Sequence, residues 1–375
     1  MLIGMTETPE KSLSESPERP NRHEGDDSAD MERDTIALPS HVAGSGTLDR
    51  LVETARDYAR QAASENTLKA YAKDWAQFAR WCRMRGVHPL PSSSQLIGLY
   101  IADLAAPGGK APSQSASRPL SVSSIERRLS GLAWGYAQRG DRLDRKDRHI
   151  ASVLAGIRRK HARPPVQKEA ILPEDLRDML ATLPHDLRGL RDRAMLLIGF
   201  AGGLRRSEIV SLDHGKDDTP DSGGWAEILD DGALLTLRGK TGWREVEIAR
   251  GSSDQTCPVH ALTQWLHYAR IDFGPIFVAV SRNGLKATGA RLSDKHVARL
   301  IKQTVEDAGL RPELSKAERL ALFSGHSLRA GLASSAEVDE RYVQKQLGHA
   351  SAEMTRRYQR RRDRFRVNLT KAAGL

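Results

Sequence analysis

Through most of this chain apolar residues recur at three- and four-residue steps, a spacing that predicts helices. The clearest case follows Ser64, a good N-cap, where Leu68, Tyr71, Trp75, Phe78 and Cys82 fall on one face while Lys69, Lys73, Arg80, Arg83 and Arg85 interleave. Similar spacing covers residues 94–104, 123–138 and 147–160. With the helical pattern starting at Thr47, this predicts a compact unit of four or five helices over residues 47–162, interrupted by a polar loop from Pro107 to Pro119. Trp75 and Trp134 read as core residues of that unit. Adjacent prolines at 164 and 165, flanked by charge, break the pattern and mark residues 163–170 as a linker.

A second domain is expected over residues 171–375, with helices over 173–183 and 187–202. Period-two segments at 226–229, 234–238 and 245–249, separated by Asp230-Asp231-Gly232 and by Lys240-Thr241-Gly242, predict a small antiparallel sheet. Further helices are expected over 260–270, 294–309, 327–336, 340–347 and 352–360. The fold class is therefore mainly α, in two domains. Residues 1–46 are rich in Glu, Asp, Ser, Pro and Gly and poor in large apolar residues, which predicts a disordered acidic tail.

Charge changes the picture. The 375 residues hold 58 Lys and Arg against 48 Asp and Glu, a formal charge of +10. The first 34 residues contain ten acidic and four basic residues, so the remainder carries +16. A strongly basic body points to a polyanionic partner. The two cysteines, Cys82 and Cys257, lie far apart, which excludes a disulfide framework and suggests a reducing cytoplasm. Cys257-Pro-Val-His260 looks like half a zinc site, but no second pair completes it, and no metal is expected there. Neither a signal-peptide core nor an apolar run of membrane-spanning length is visible.

The chemistry lies toward the end of the chain. His326-Ser-Leu-Arg329 is followed by Leu347-Gly-His349 and, nine positions later, by Tyr358. Upstream stand Gly203-Leu-Arg205-Arg206-Ser-Glu208 and Gly239-Lys240-Thr-Gly242. Arginine forks onto phosphate oxygens, imidazole donates hydrogen bonds or moves protons near neutral pH, and a tyrosine hydroxyl can attack phosphorus. Free tyrosine is about one part in a thousand phenolate at pH 7, so a base or cations must assist; Tyr358 sits among Arg356, Arg357 and Arg360 to Arg362. Together these groups describe a phosphoryl-transfer site without a metal or cofactor.

These residues, in this order, resemble the tyrosine recombinase (phage integrase) family, including its Cre- and Xer-type members, over roughly residues 50 to 375. The resemblance implies a two-domain DNA clamp: a helical core-binding domain, with Lys69, Lys73, Arg127 and Arg128 as candidate DNA contacts, and a catalytic domain. It implies Tyr358 as nucleophile, Arg205 and Arg329 on the non-bridging oxygens, and His326 assisting deprotonation of Tyr358. His349 would stabilise the transition state and Lys240 would protonate the leaving 5′ oxygen. Arg206 competes with Arg205; the family places its arginine directly after Gly-Leu and three before an acidic residue, which selects Arg205 and makes Glu208 its support.

The implied reaction proceeds through a 3′-phosphotyrosyl link, serving a mobile element at short inverted-repeat sites in double-stranded DNA. A monomer in solution would assemble as a homotetramer on DNA, with residues 359–375 docking on a neighbour. A type IB topoisomerase-like enzyme and a non-catalytic DNA-binding regulator on the same fold are the alternatives.

Overall fold

The computed structural model describes residues 48–61, 64–106, 119–164, 167–216, 219, 221–239, 242–336, 339–348, 353 and 356. The expected acidic tail, the C-terminal docking segment and the helix over 352–360 lie outside the described residues, apart from 353 and 356. Contacts divide the chain after Pro164 into two units. No helix among the described residues is long and apolar enough to cross a membrane.

In the first unit, the described residues form α1 (Asp49–Gln61), α2 (Glu65–Met84), α3 (Ser94–Ala105), α4 (Val122–Ala137) and α5 (Arg148–His161). The starts are written in the sequence. Ser93, Ser121 and Asp147 each accept a backbone N–H from the first turn of the helix they precede, satisfying a donor that the helix cannot pair internally. Ser64 stands at the N-cap of α2 as expected, but its hydroxyl pairs with Thr67 Oγ1 at 2.8 Å rather than with the backbone.

α2 packs on α4 and α3 on α5. Their apolar faces bury Phe78, Cys82, Ile97, Ile101, Ile125, Leu132, Tyr136 and Ile150 completely. Trp75 is buried edge-on to Tyr136, with ring centroids 5.0 Å apart. Trp134 is half-buried against Tyr71.

The second unit begins with α6 (Pro173–Ala181), α7 (Leu187–Ala201) and the short α8 (Arg206–Val210). Strands β1 (Leu212–His214), β2 (Gly224–Ile228), β3 (Gly232–Gly239) and β4 (Gly242–Ala249) follow, then α9 (Pro258–Ala269) and β5 (Gly274–Pro275). The rest comprises β6 (Val278–Val280), β7 (Ala287–Arg291), α10 (Asp294–Asp307), α11 (Lys316–Leu322), α12 (Ser327–Ser335) and α13 (Glu340–Leu347). Cys257 caps α9, its Sγ accepting the N–H of His260.

The expected hairpins are present as β2–β3 and β3–β4, but the sheet is larger and not wholly antiparallel. It has five strands in the order β4-β3-β2-β1-β5, and β1 runs parallel to β2. β6 and β7 form a separate antiparallel pair. The three-residue β1 carries no alternating pattern because its centre is Asp213, fully buried and bound by Arg291 Nη2 at 2.5 Å and by the Thr219 hydroxyl at 2.6 Å. Period two does govern β4: Arg244, Val246 and Ile248 point inward, opposite Leu237, Leu235 and Ala233 of β3.

Candidate active site

Four of the candidate residues converge at two helix starts. Arg205 is the N-cap of α8 with Glu208 in its first turn, and His326 is the N-cap of α12 with Arg329 in its first turn. The link between them is Arg329, only 2% exposed. Its Nη1 donates to the carbonyl of Gly203 at 2.6 Å, two residues before Arg205, and its Nη2 donates to the carbonyl of Leu347, two residues before His349. One planar fork thus fixes two segments 144 residues apart in sequence, the turn at Gly203 and the end of α13 at Leu347.

The backbone allows this only at glycine. Gly203 has φ +57°, and a Cβ there would lie 2.5 Å from a methyl of Leu347.

Arg205 is held by Glu208. The backbone N–H of Arg205 donates to Glu208 Oε2 at 2.8 Å and its Nη1 to Oε1 at 2.5 Å. Arg206, the competitor, is exposed and turns toward α10, where it pairs with Asp294 at 3.1 Å. Burial alone would raise the Glu208 pKa, but the Arg205 N–H and the charges of Arg244 and Arg205 outweigh it and hold the carboxyl below its ordinary range. Glu208 therefore stays ionised while 5% exposed.

His326 stands at the solvent-facing rim, yet the protein around it still strips hydration from its charged form. That desolvation, followed by repulsion from Arg329, Arg206 and Arg205, lowers its pKa. At neutral pH the imidazole is uncharged and able to accept a proton.

Two contributors escaped the sequence reading. Arg244, on the inner face of β4, donates to Glu208 Oε2 at 3.0 Å and to the carbonyl of Gln346 at 2.7 Å. The Gln346 amide donates in turn to the carbonyls of Ala201 at 3.1 Å and Glu247 at 3.2 Å. The last turn of α13 leaves carbonyls without intrahelical partners, and Arg244 and Arg329 take two of them. A signal for Arg244 did exist: a charged residue in the inward phase of an alternating strand needs a buried counter-charge.

Lys240, His349 and Tyr358 lie outside the described residues. Of the candidate DNA contacts, Lys69 and Lys73 are exposed on α2, Lys69 in an ion pair with Glu65 at 2.5 Å. Arg127 and Arg128 are turned to interior partners. Arg127 grips both carboxylate oxygens of buried Asp74, at 2.5 and 2.9 Å, while remaining 47% exposed. Arg128, 17% exposed, donates to the Tyr100 hydroxyl at 3.1 Å and lies 3.9 Å from Asp74.

The model of the phage integrase family matches residues 169–364. An integrase/recombinase XerD homolog from Selenomonas ruminantium is 34% identical over 331 residues, covering 85% of this chain and 89% of the relative. The tyrosine recombinase XerC of Xanthomonas axonopodis pv. citri is 28% identical, over 79% of this chain and 86% of that protein. Among solved structures, a lambda integrase dimer bound to a core site aligns with a TM-score of 0.51 at 17% identity, covering 85% of this chain and 96% of that one. At that identity the likeness is one of fold. The chain belongs to the phage integrase family and is a tyrosine site-specific recombinase acting on DNA.

Proposed function

We propose that the protein cleaves and rejoins DNA through a covalent 3′-phosphotyrosyl intermediate, with Tyr358 as nucleophile and Arg205, Lys240, His326, Arg329 and His349 as its catalytic partners. The phenol oxygen of Tyr358 bonds to phosphorus as the bond to the 5′ oxygen breaks. The phenolic proton passes to neutral His326, and Lys240 protonates the leaving 5′ oxygen. Arg205 and Arg329, with a hydrogen bond from His349, face the negative charge that builds on the non-bridging oxygens. Rejoining is the same step reversed, with a 5′ hydroxyl of the partner duplex attacking phosphorus and Tyr358 regaining its proton.

The observation that carries this reading is the Arg329 fork, which ties the loop bearing Arg205 to the turn before His349. Recombination between two duplexes requires four strand cleavages, which supports a homotetramer on short inverted sites. The helical first unit serves as the core-binding half of a DNA clamp, with Lys69, Lys73 and the exposed edge of Arg127 as its phosphate contacts. A mobile element is the setting this reaction suits, in keeping with the fold shared with the Tn1549 transposon integrase in complex with transposon right end DNA, at TM-score 0.50 and 15% identity.

The test uses duplexes nicked beside the cleavage point, drawn from the DNA that neighbours the gene, with denaturing gels read for covalent protein–DNA product. Wild type should yield a 3′-linked band and Tyr358→Phe none. Binding without a band from wild type would remove the catalytic assignment.

A further inference from the structure

Most of the inner face of β3 and β4 is apolar, with Leu235, Leu237, Val246 and Ile248 buried. Arg244 breaks that pattern. Its side chain is 14% exposed, so its guanidinium has lost most of its hydration. An aliphatic side chain would fill the same position at lower cost, because burying a charge is favourable only when its partners are well placed.

The partners of Arg244 belong to two different segments of the site. Nη2 holds the Glu208 oxygen that also receives the Arg205 N–H, and Nη1 holds the Gln346 carbonyl at the end of α13. The next turn is shaped around it: Gly348 has φ +58°, and a Cβ there would lie 2.7 Å from Arg244 Cδ. The strand that carries Arg244 also begins at Gly242, immediately after Lys240 and Thr241.

We infer that Arg244 is a positioning residue for DNA cleavage: it locks the Arg205–Glu208 pair to the turn that precedes His349 and leaves the cluster with a net positive charge for the scissile phosphate. The inference rests on the catalytic reading proposed above. Its electrostatic half follows from counting charges. Arg205 and Glu208 alone are neutral as a pair, so much of the Arg205 charge would be spent on its own carboxylate. With Arg244 the cluster carries one net positive charge. A phosphodiester carries one negative charge and its transition state more, so that surplus is worth most where cleavage needs it. Its geometric half follows from the fork. A carboxylate held from both sides cannot rotate and drag Arg205 off the phosphate, whereas a carboxylate held only by Arg205 can.

The two halves separate experimentally. Single-turnover cleavage of a nicked duplex at saturating DNA would be followed against pH for full-length wild type, Arg244→Gln and Arg244→Lys, beside DNA affinity. Removing a group that orients a metal ligand costs about 10- to 100-fold; by the same logic Arg244→Gln should lose about that much rate, while affinity, spread over many phosphate contacts, changes by less than about threefold. The neutral variant should also move the acid limb of the rate profile upward, because Glu208 loses the cation that helps keep it ionised. Arg244→Lys keeps the charge but cannot fork, so it should restore the acid limb while its rate stays below wild type.

An Arg244→Gln enzyme that cleaves at the wild-type rate overturns the inference. So does one whose rate and affinity fall together with an unmoved pH profile, which would mark a structural role only. Should Arg244→Gln fail to fold, Arg244→Lys decides alone: a wild-type rate overturns the geometric claim, a lower rate with an unmoved limb supports it. A wild type that forms no covalent band sinks the catalytic reading and this inference with it. A wild type that does form one, beside an indifferent Arg244 variant, sinks only the inference.

Discussion

Each unit of this protein holds a buried carboxylate between two arginines, Asp74 in the first and Glu208 in the second, and the two clusters are built differently. In the first unit Asp74 of α2 takes Arg127 and Arg128, neighbours on α4. The pairing fastens one helix to the helix it already packs on, and half-exposed Arg127 stays open to solvent. In the second unit Glu208 takes Arg205 from its own helix start and Arg244 from β4, and Arg244 reaches on to α13. The chemistry is the same, but the second cluster joins three segments that lie far apart in the sequence. A carboxylate between two faces of a helix pair stabilises; a carboxylate at the crossing of a helix start, a strand and a helix end assembles a site.

The sharpest break of that comparison is Glu208→Ala. Leaving Arg205 and Arg244 unpaired in a largely buried setting should cost about 3 kcal/mol of stability, and misaiming Arg205 should lower single-turnover cleavage by about 100-fold or more. Denaturant melts and the nicked-duplex assay measure the two effects separately. Asp74→Ala should give the other half of the contrast: about 2 kcal/mol of stability lost, less because Arg127 is screened by solvent, with cleavage of bound DNA within about threefold of wild type. A collapse of cleavage in Asp74→Ala at saturating DNA would erase the distinction between the clusters.

A smaller effect concerns His326. Its pKa is lowered in the folded protein, so the folded state binds fewer protons there than the unfolded chain. Its contribution to stability is therefore full above the ordinary imidazole value of about 6.5 and is lost as pH falls below it. In an NMR titration the His326 ring should titrate below about 6.5 in the free protein, and its midpoint should rise when DNA brings phosphate charge to the site. A midpoint above that value without DNA would remove the case for His326 as proton acceptor. The smallest effect expected is that of Lys69→Ala, which should leave cleavage of bound DNA unchanged and reduce the salt slope of binding by about one. An unchanged slope would take Lys69 off the DNA-facing surface.

Much of the fold was legible because the signals are local. Apolar spacing along α2 to α5 and α7, the N-caps Ser93, Ser121 and Asp147, and the turns of the β2–β3–β4 hairpins lie within one or two turns of the residues they organise. β1 was not legible, because a strand centred on a buried aspartate is stable only where Arg291, 78 residues later, reaches it. The parallel pairing of β1 with β2 likewise depends on how the chain returns, not on the pattern of either strand.

The site divides in the same way. The sequence by itself determined which groups are present, their order, and the basic body that would seek DNA, since motif and charge are properties of composition and spacing. The choice of Arg205 over Arg206 needed the family resemblance as well. Only the tertiary structure decided that Arg206 leans on Asp294, that Arg127 and Arg128 turn to Asp74, and that Arg244 and Gln346 tie Glu208 and β4 to the end of α13. The physical reason is that a buried guanidinium must satisfy several donors at once. Which carbonyls and carboxylates it finds is fixed by the packing of distant segments, a quantity no local stretch of sequence contains.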